Sequence, residues 1–213
     1  TLGGSLRDRV SSLIQAPDGG FIVGGESDSE IGGNKTAGSK GSYDYWIVKL
    51  SASGTKLWDK TYGGNGFDRD PIIVRTEDNG YLLAGNSWSE TGENKTAPNF
   101  GYYDLWIVKI NSEGEKQWDK SYGGNEYDLI KSIQPTSDGG YLIGMLSYSD
   151  LGDTKTDPTR DFDDRWIIKI DASGTKLWDK NLGGSPRSVS TLAGAFATSD
   201  GGYLTTGYSY SNI

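Results

Sequence analysis

The chain has 213 residues and a formal net charge of -8, with no cysteine, no histidine and 32 glycines, about twice the usual share. Those counts exclude a disulfide scaffold, a Cys or His metal site, histidine-dependent nucleophilic catalysis and a histidine proton switch. The acidity argues against a nucleic-acid partner, and no apolar run approaches the roughly 20 residues of a membrane span.

The chain opens Thr1-Leu2-Gly3-Gly4, which is neither an initiator Met nor a charged-then-apolar leader. It is therefore expected to be a processed protein or a piece of a longer one. Gly3-Gly4 reads as the close of a preceding unit, because the same pair ends each later unit at 63–64, 123–124 and 183–184. Four short strands are expected in the first unit, near 9–16, 21–27, 43–50 and 55–62. Pro17-Asp18-Gly19-Gly20 supplies the first hairpin and Ser51 to Gly54 the second, since Gly accepts positive φ. A long polar loop, 28–42, lies between strands two and three.

The same elements then recur. The Asp18 turn returns at Asp78, Asp138 and Asp200, and the run Trp46 to Leu50 returns at Trp106 to Ile110 and Trp166 to Ile170. A second tryptophan follows each run, as Trp58, Trp118 and Trp178. No helical periodicity interrupts the series. The third strand of each unit is almost wholly apolar, so it needs cover on both faces. Four-stranded blades packed face to face provide that cover, and the expected fold is an all-β β-propeller. Its blades span 3–62, 63–122 and 123–182, with half of a fourth at 183–213. A β-solenoid is the rival, with shorter coils and no need of hairpins. Three and a half blades do not close an ordinary ring. The chain is expected to be an excerpt of a larger propeller, or one of several copies that complete a ring.

In a blade, the loops between strands two and three and the links between blades open at the same end. The long loops 28–42, 88–102 and 149–163 share a skeleton, SDSEIGGNKT, SWSETGENKT and SYSDLGDTKT in their first parts. Function is placed there. The binding candidates are Asp28, Glu30, Asn34, Asp68, Trp88, Glu90, Asn94 and Tyr148. Trp88 and Tyr148 either stack on sugar rings or pack on the neighbouring blade. In the third loop Asp150, Asp153 and Asp157, with Asp161 and Asp163 nearby, offer oxygen ligands for calcium, the candidate cofactor; a solvated acidic loop is the alternative. Asp44, Asp104 and Asp164, each preceding the tryptophan run, read as backbone caps. The acidity belongs to the second and third units, each net -4, while residues 3–62 are neutral. Asn34-Lys35-Thr36 and Asn94-Lys95-Thr96 match a glycosylation acceptor, but Asp153-Thr154-Lys155-Thr156 repeats the turn without the Asn, so the match follows from the turn. No carboxylate is marked as catalytic.

The hairpins SASGTKLW (51–58), NSEGEKQW (111–118) and DASGTKLW (171–178) resemble the structural blade hairpins of quinoprotein dehydrogenases and the Asp-box of sialidases. Their tryptophans are expected to dock one blade on the next. The string DNGYLLAGNS (78–87), the polar loop, and YDLWIVKINSEGEKQWDKSYGG (103–124) together resemble secreted β-propeller repeats of Bacteroidetes. The resemblance implies the fold, export through a type IX secretion route, and no catalytic residues. The loops are poorer in Asp than that family's usual GDVSGN-like loops. The expected function is a non-catalytic binding or adhesion scaffold at the cell surface, with the long-loop end meeting a glycan or surface protein. A polysaccharide-active enzyme and a structural or lectin-like assembly are the alternatives.

Overall fold

The computed structural model describes residues 1–158, 164–182, 190–198 and 200–209. Among them, strands joined by turns make three four-stranded antiparallel sheets and one hairpin. The first sheet runs β1 (Asp8–Gln15), β2 (Phe21–Ser27), β3 (Asp44–Leu50), β4 (Lys56–Tyr62), each strand paired with the next. The second repeats it as β5 (Asp68–Arg75), β6 (Tyr81–Ser87), β7 (Asp104–Ile110) and β8 (Lys116–Tyr122). The third is β9 (Asp128–Pro135), β10 (Tyr141–Ser147), β11 (Asp164–Ile170) and β12 (Lys176–Leu182). β13 (Ser190–Ala197) and β14 (Tyr203–Ser209) form the partial unit. The expected strands of the first unit fall within a residue of these bounds. The Gly183-Gly184 pair lies outside the described residues, and no described helix is long and apolar enough to cross a membrane.

The turns explain the regularity. Gly19 closes the first hairpin at φ 80°, and Asn79 holds the same place in the second at φ 63°. Asn is the side-chain-bearing residue that best tolerates this left-handed region. Asp18 Oδ1 then accepts the Gly20 amide and also the ammonium of Lys49 at 2.7 Å. Lys109–Asp78 and Lys169–Asp138 repeat that bridge at 2.8 and 2.9 Å. The lysine thus lets an apolar third strand carry a charge at its end without leaving it unpaired.

The chain divides into two compact units, Thr1–Asn99 with Trp106–Lys120, and Phe100–Leu105 with Ser121–Ile213. In the first, consecutive sheets meet face to face. Ile73 of β5 packs against Gly24 and Ile47 of the first sheet. The Tyr45 ring lies 5.0 Å from that of Trp106, and its hydroxyl donates to the Trp106 carbonyl. Trp58 rests on Gly114 in the next hairpin, and the Tyr62 hydroxyl donates to the Gly114 carbonyl. In the second unit the Tyr122 hydroxyl donates to the Gly174 carbonyl, and Trp178 meets Tyr203 edge-on at 5.3 Å. The docking expected of these hairpin tryptophans is therefore seen for Trp58 and Trp178. Each fully buried aliphatic side chain at such a face stabilises by about 1.5–3 kcal/mol.

The fourth strand adds the buried anchor of each long loop. Asp119 accepts the Thr96 amide at 2.8 Å, the Ala97 amide at 2.9 Å, the Trp106 indole N–H at 3.0 Å and the Lys116 ammonium at 2.8 Å. The Thr96 hydroxyl donates to it as well. Asp59 and Asp179 repeat the arrangement with Thr36, Trp46 and Lys56, and with Thr156, Trp166 and Lys176. Replacing Asp119 by Ala strands five donors, the Trp106 indole and the Ala97 amide among them buried, and is expected to cost about 3 kcal/mol or more, read as a shift in the urea midpoint. Replacing Asp78, whose side chain is 55% exposed, should cost less. Equal losses would show that the anchor carries no special weight.

Candidate functional site

The residues of the long-loop end are held from below by polar side chains whose positions repeat. In each loop a small bridge closes a turn, Gly32 with Lys35, Gly92 with Lys95 and Gly152 with Lys155. The lysine side chain then turns inward and is buried. Lys35 donates to the Ser29 carbonyl at 2.6 Å, Lys95 to Ser89 at 2.8 Å and Lys155 to Ser149 at 2.7 Å. Burial pushes the Lys35 and Lys155 ammoniums down from their usual range, against the pull of nearby carboxylates. The recurring Lys-Thr is thus a brace: lysine ties the loop to its own start, and threonine ties it to the fourth strand.

The links between repeats lie against these loops. The Gly64 amide donates to Asp68 Oδ2 at 2.9 Å, the Gly66 amide to Ser89 Oγ at 3.0 Å and the Gly63 amide to Asn94 Oδ1 at 2.8 Å. Ser42 donates to the Gly66 carbonyl, Asp68 to that of Tyr43, and Trp88 to that of Phe67. Segments 41–43, 63–68 and 87–90 therefore run side by side at one end of the sheets, where the sequence places both kinds of loop. In the second unit Glu126, Tyr127 and Asp128 are held in the same way by Tyr102, Tyr148 and Tyr103.

That arrangement lines up aromatic rings. Tyr43 stacks on Phe67 at 6.0 Å, and Phe67 on Trp88 at 5.9 Å with 11° between planes. The Arg69 guanidinium stands 4.4 Å from the Tyr43 centroid and 4.7 Å from that of Phe67. In the second unit Tyr102 stacks on Tyr127 at 4.9 Å and 7°, Tyr103 stacks on Tyr127 at 6.1 Å, and Tyr148 meets Tyr127 edge-on. Trp88 and Tyr102 are each 46% exposed and Tyr127 is 39% exposed. Each unit thus carries its own ladder of rings with one side open to water.

Beneath the first ladder two carboxylates converge on Gly63. A Cβ on that glycine would stand 1.9 Å from Asp44 Oδ1 and 2.9 Å from Asp68 Oδ2. Only glycine fits, which accounts for the first member of the recurring Gly-Gly pair. Asp44 caps its loop through Oδ2, accepting the Lys40 amide at 2.6 Å and the Ser39 hydroxyl at 2.9 Å. Burial pushes its carboxyl up to about 6, against those hydrogen bonds and with help from the Asp68 charge. Burial raises Asp68 as well. Asp119 behaves oppositely: burial alone would raise it, but Lys116, Thr96, the Ala97 amide and Trp106 hold it at about 2.

The residues singled out in the sequence take different places. Asp28 accepts the Arg7 amide at 2.7 Å, Asn34 accepts the Gly3 amide at 2.8 Å, and Asn94 spans Gly63 and the Thr61 carbonyl. Asp68 is fully buried in the frame, while Glu30 and Glu90 are exposed. Trp88 and Tyr148 are ladder members. Of the calcium candidates, Asp157 accepts the Asn181 amide at 2.7 Å, Asp153 sits at an exposed turn and the Asp150 amide donates to Asn125. Among the described residues no group of three or more acidic side chains is placed to hold a metal ion, and Asp161 and Asp163 lie outside them. The sequence reading missed Tyr43, Phe67, Arg69, Tyr102, Tyr103 and Tyr127. The signal was an aromatic immediately before a recurring Asp, in Tyr43-Asp44, Phe67-Asp68, Tyr103-Asp104 and Tyr127-Asp128.

No family model matches the chain, and no curated protein matches it. Among solved structures it is similar to a protein of unknown function from Bacteroides caccae, at 14% identity over 85% of this chain and 70% of that one, with a TM-score of 0.31. It is also similar to a mutant of a Synechocystis apocarotenoid oxygenase, at 14% identity over 95% of this chain and 50% of that one, with a TM-score of 0.49. The chain spans half the length of that oxygenase, and neither likeness carries a ligand or a reaction across. The repeated four-stranded sheets are compatible with a β-propeller-like fold.

The two classes of buried acid predict a stability profile with two limbs. Asp44 has a raised pKa, so its penalty grows as pH rises from its unfolded value of 3.8 through about 6. Asp119 has a lowered pKa, so its contribution is present above 3.8 and lost as pH falls toward 2. Urea midpoints should therefore rise as pH is lowered from about 7 to about 5, then fall below about 4. Asp44→Asn should shrink the first limb, to which the raised Asp68 also contributes, and leave the second. An unchanged slope between pH 7 and 5 in that variant would assign the limb elsewhere.

Proposed function

We propose that the chain is a non-catalytic β-propeller segment that binds a glycan through the aromatic ladders of its long-loop end. The four-stranded units act as blades, which the face-to-face packing of consecutive sheets within each unit supports. The observation that carries the binding reading is the open side of the ladders: Trp88, Tyr102 and Tyr127 present large rings to water. An exposed, nearly parallel series of rings is a poor use of apolar surface unless something stacks on it. A pyranose ring, with one face of C–H groups and a polar rim, suits such a surface. The rings are also pre-positioned, because the Asp119-type anchors and the buried lysines fix the loops before any ligand arrives, so little ordering entropy is lost on binding. The resemblance of the repeats to exported bacterial propeller proteins supports a place outside the cell, at its surface.

The chemistry of the acids favours binding over hydrolysis at this site. Asp44, the carboxyl raised to about 6, is fully buried beneath the Gly63 link and cannot reach a sugar. Affinity electrophoresis through a panel of soluble polysaccharides should retard the protein in at least one. Trp88→Ala combined with Tyr127→Ala should weaken that retardation by about tenfold or more, as loss of central aromatic contacts does. Retardation of the double variant equal to that of the original protein would sink the assignment of the ladders.

A further inference from the structure

The geometry points to an anionic saccharide, carrying carboxylate or sulfate, as the ligand of the first unit's ladder, with Arg69 as the group that reads its charge. This deepens the glycan reading and rests on it. The evidence is a difference between three equivalent positions. On the first strand of the first sheet, Arg9 pairs across to Glu26, and the two form an ion pair of 3.0 Å. At the same place in the second sheet Arg69 pairs across to Asn86. In the third sheet Leu129 pairs across to Leu146. Across the first two strands the series runs from a neutralised charge, to a charge without its acid, to a pair of leucines.

Arg69 is half-buried, and its Nε is buried without a hydrogen-bond partner among the described residues. No carboxylate of the described residues stands within ion-pair distance of it. Glu26, whose backbone neighbour in space is Asp70, is committed to Arg9 at 3.0 Å and to the Asp70 amide at 3.3 Å. A guanidinium held in this state costs free energy unless an acceptor arrives. Its guanidinium carbon already lies over the Tyr43 and Phe67 rings, which leaves the terminal N–H groups for bonds to a carboxylate or sulfate. Trp88 completes the same stack with its exposed ring, so one sugar can stack there while its acidic group meets Arg69. In the second unit's ladder Leu129 stands in place of that arginine, and the row's guanidinium, Arg165, lies two strands away on β11.

The test compares polymers that differ only in charge: polygalacturonate against its methyl-esterified form, and dextran sulfate against dextran. These arms separate carboxylate from sulfate. Titration calorimetry of the intact chain should show at least one acidic polymer bound about tenfold tighter than its neutral counterpart, with the difference shrinking as salt is added. Arg69→Leu should erase the difference. Asn86→Glu, which gives Arg69 the partner that Arg9 has, should erase it without deleting the ring stack. Trp88→Ala should weaken acidic and neutral forms alike. Retention of the preference in both Arg69→Leu and Asn86→Glu overturns the inference. Equal binding of charged and neutral polymers overturns it too, while leaving the glycan reading standing. Binding of none of the four polymers, and of none in the wider panel, overturns both.

Discussion

Everything at the long-loop end hangs from one carboxylate per repeat, Asp59, Asp119 or Asp179. Each gathers two amides of the loop, a threonine hydroxyl, an indole N–H and an ammonium around two oxygens. A loop of some fifteen residues would ordinarily be the mobile part of a sheet protein. Here its midpoint is pinned to the outer strand, and its start is pinned by a buried lysine. The large tryptophan of the third strand takes part through its one polar atom. Its size fills the core, and its N–H finds the acceptor that burial obliges it to find. Loop, strand and core thus share a single polar centre.

Much of the fold was legible in the sequence because the signals are local. Turn chemistry at Asp18-Gly19-Gly20 and its copies, a period of about 60, and an apolar third strand each act within a few residues. They agree with one another, so strand bounds emerge within a residue. The recurring Lys-Thr marks the repeated loop shape. Its cause was hidden, since Thr36 and Asp59 are 23 residues apart and nothing between them advertises the bond. The Gly-Gly pair likewise punctuates the repeats. Its physical reason, the space that Asp44 Oδ1 needs beside Gly63, belongs to packing and not to pattern.

The candidate site was less legible. Trp88 and Tyr148 drew notice as variable aromatics, but a ladder needs rings from three separate segments. Tyr43 ends one loop, Phe67 sits in a link and Trp88 begins the next loop, so only the bonds among 41–43, 63–68 and 87–90 bring them together. The polar candidates have a different place. Asp68 and Asn94 look like ligand-binding groups in a polar loop, yet both are consumed in holding backbone. Composition cannot separate a carboxylate that faces water from one that closes a turn. Arg69 stands apart from Arg9 only once the strand register sets Asn86 where Glu26 stands.

The double duties of the frame leave few side chains free to vary. Within a repeat the Ser-x-Ser start, the buried lysine, the threonine, the glycine of the link and the strand-four Asp all serve two or more neighbours. Among the positions that differ between repeats are three near the ladders: Asp28, Trp88 and Tyr148 at one, Arg7, Phe67 and Tyr127 at another, Arg9, Arg69 and Leu129 at a third. They form a small alphabet written on an unchanging page. Recognition in such an array can diversify by point mutation at three places per repeat, and a duplicated repeat arrives with its frame intact and its specificity open to revision.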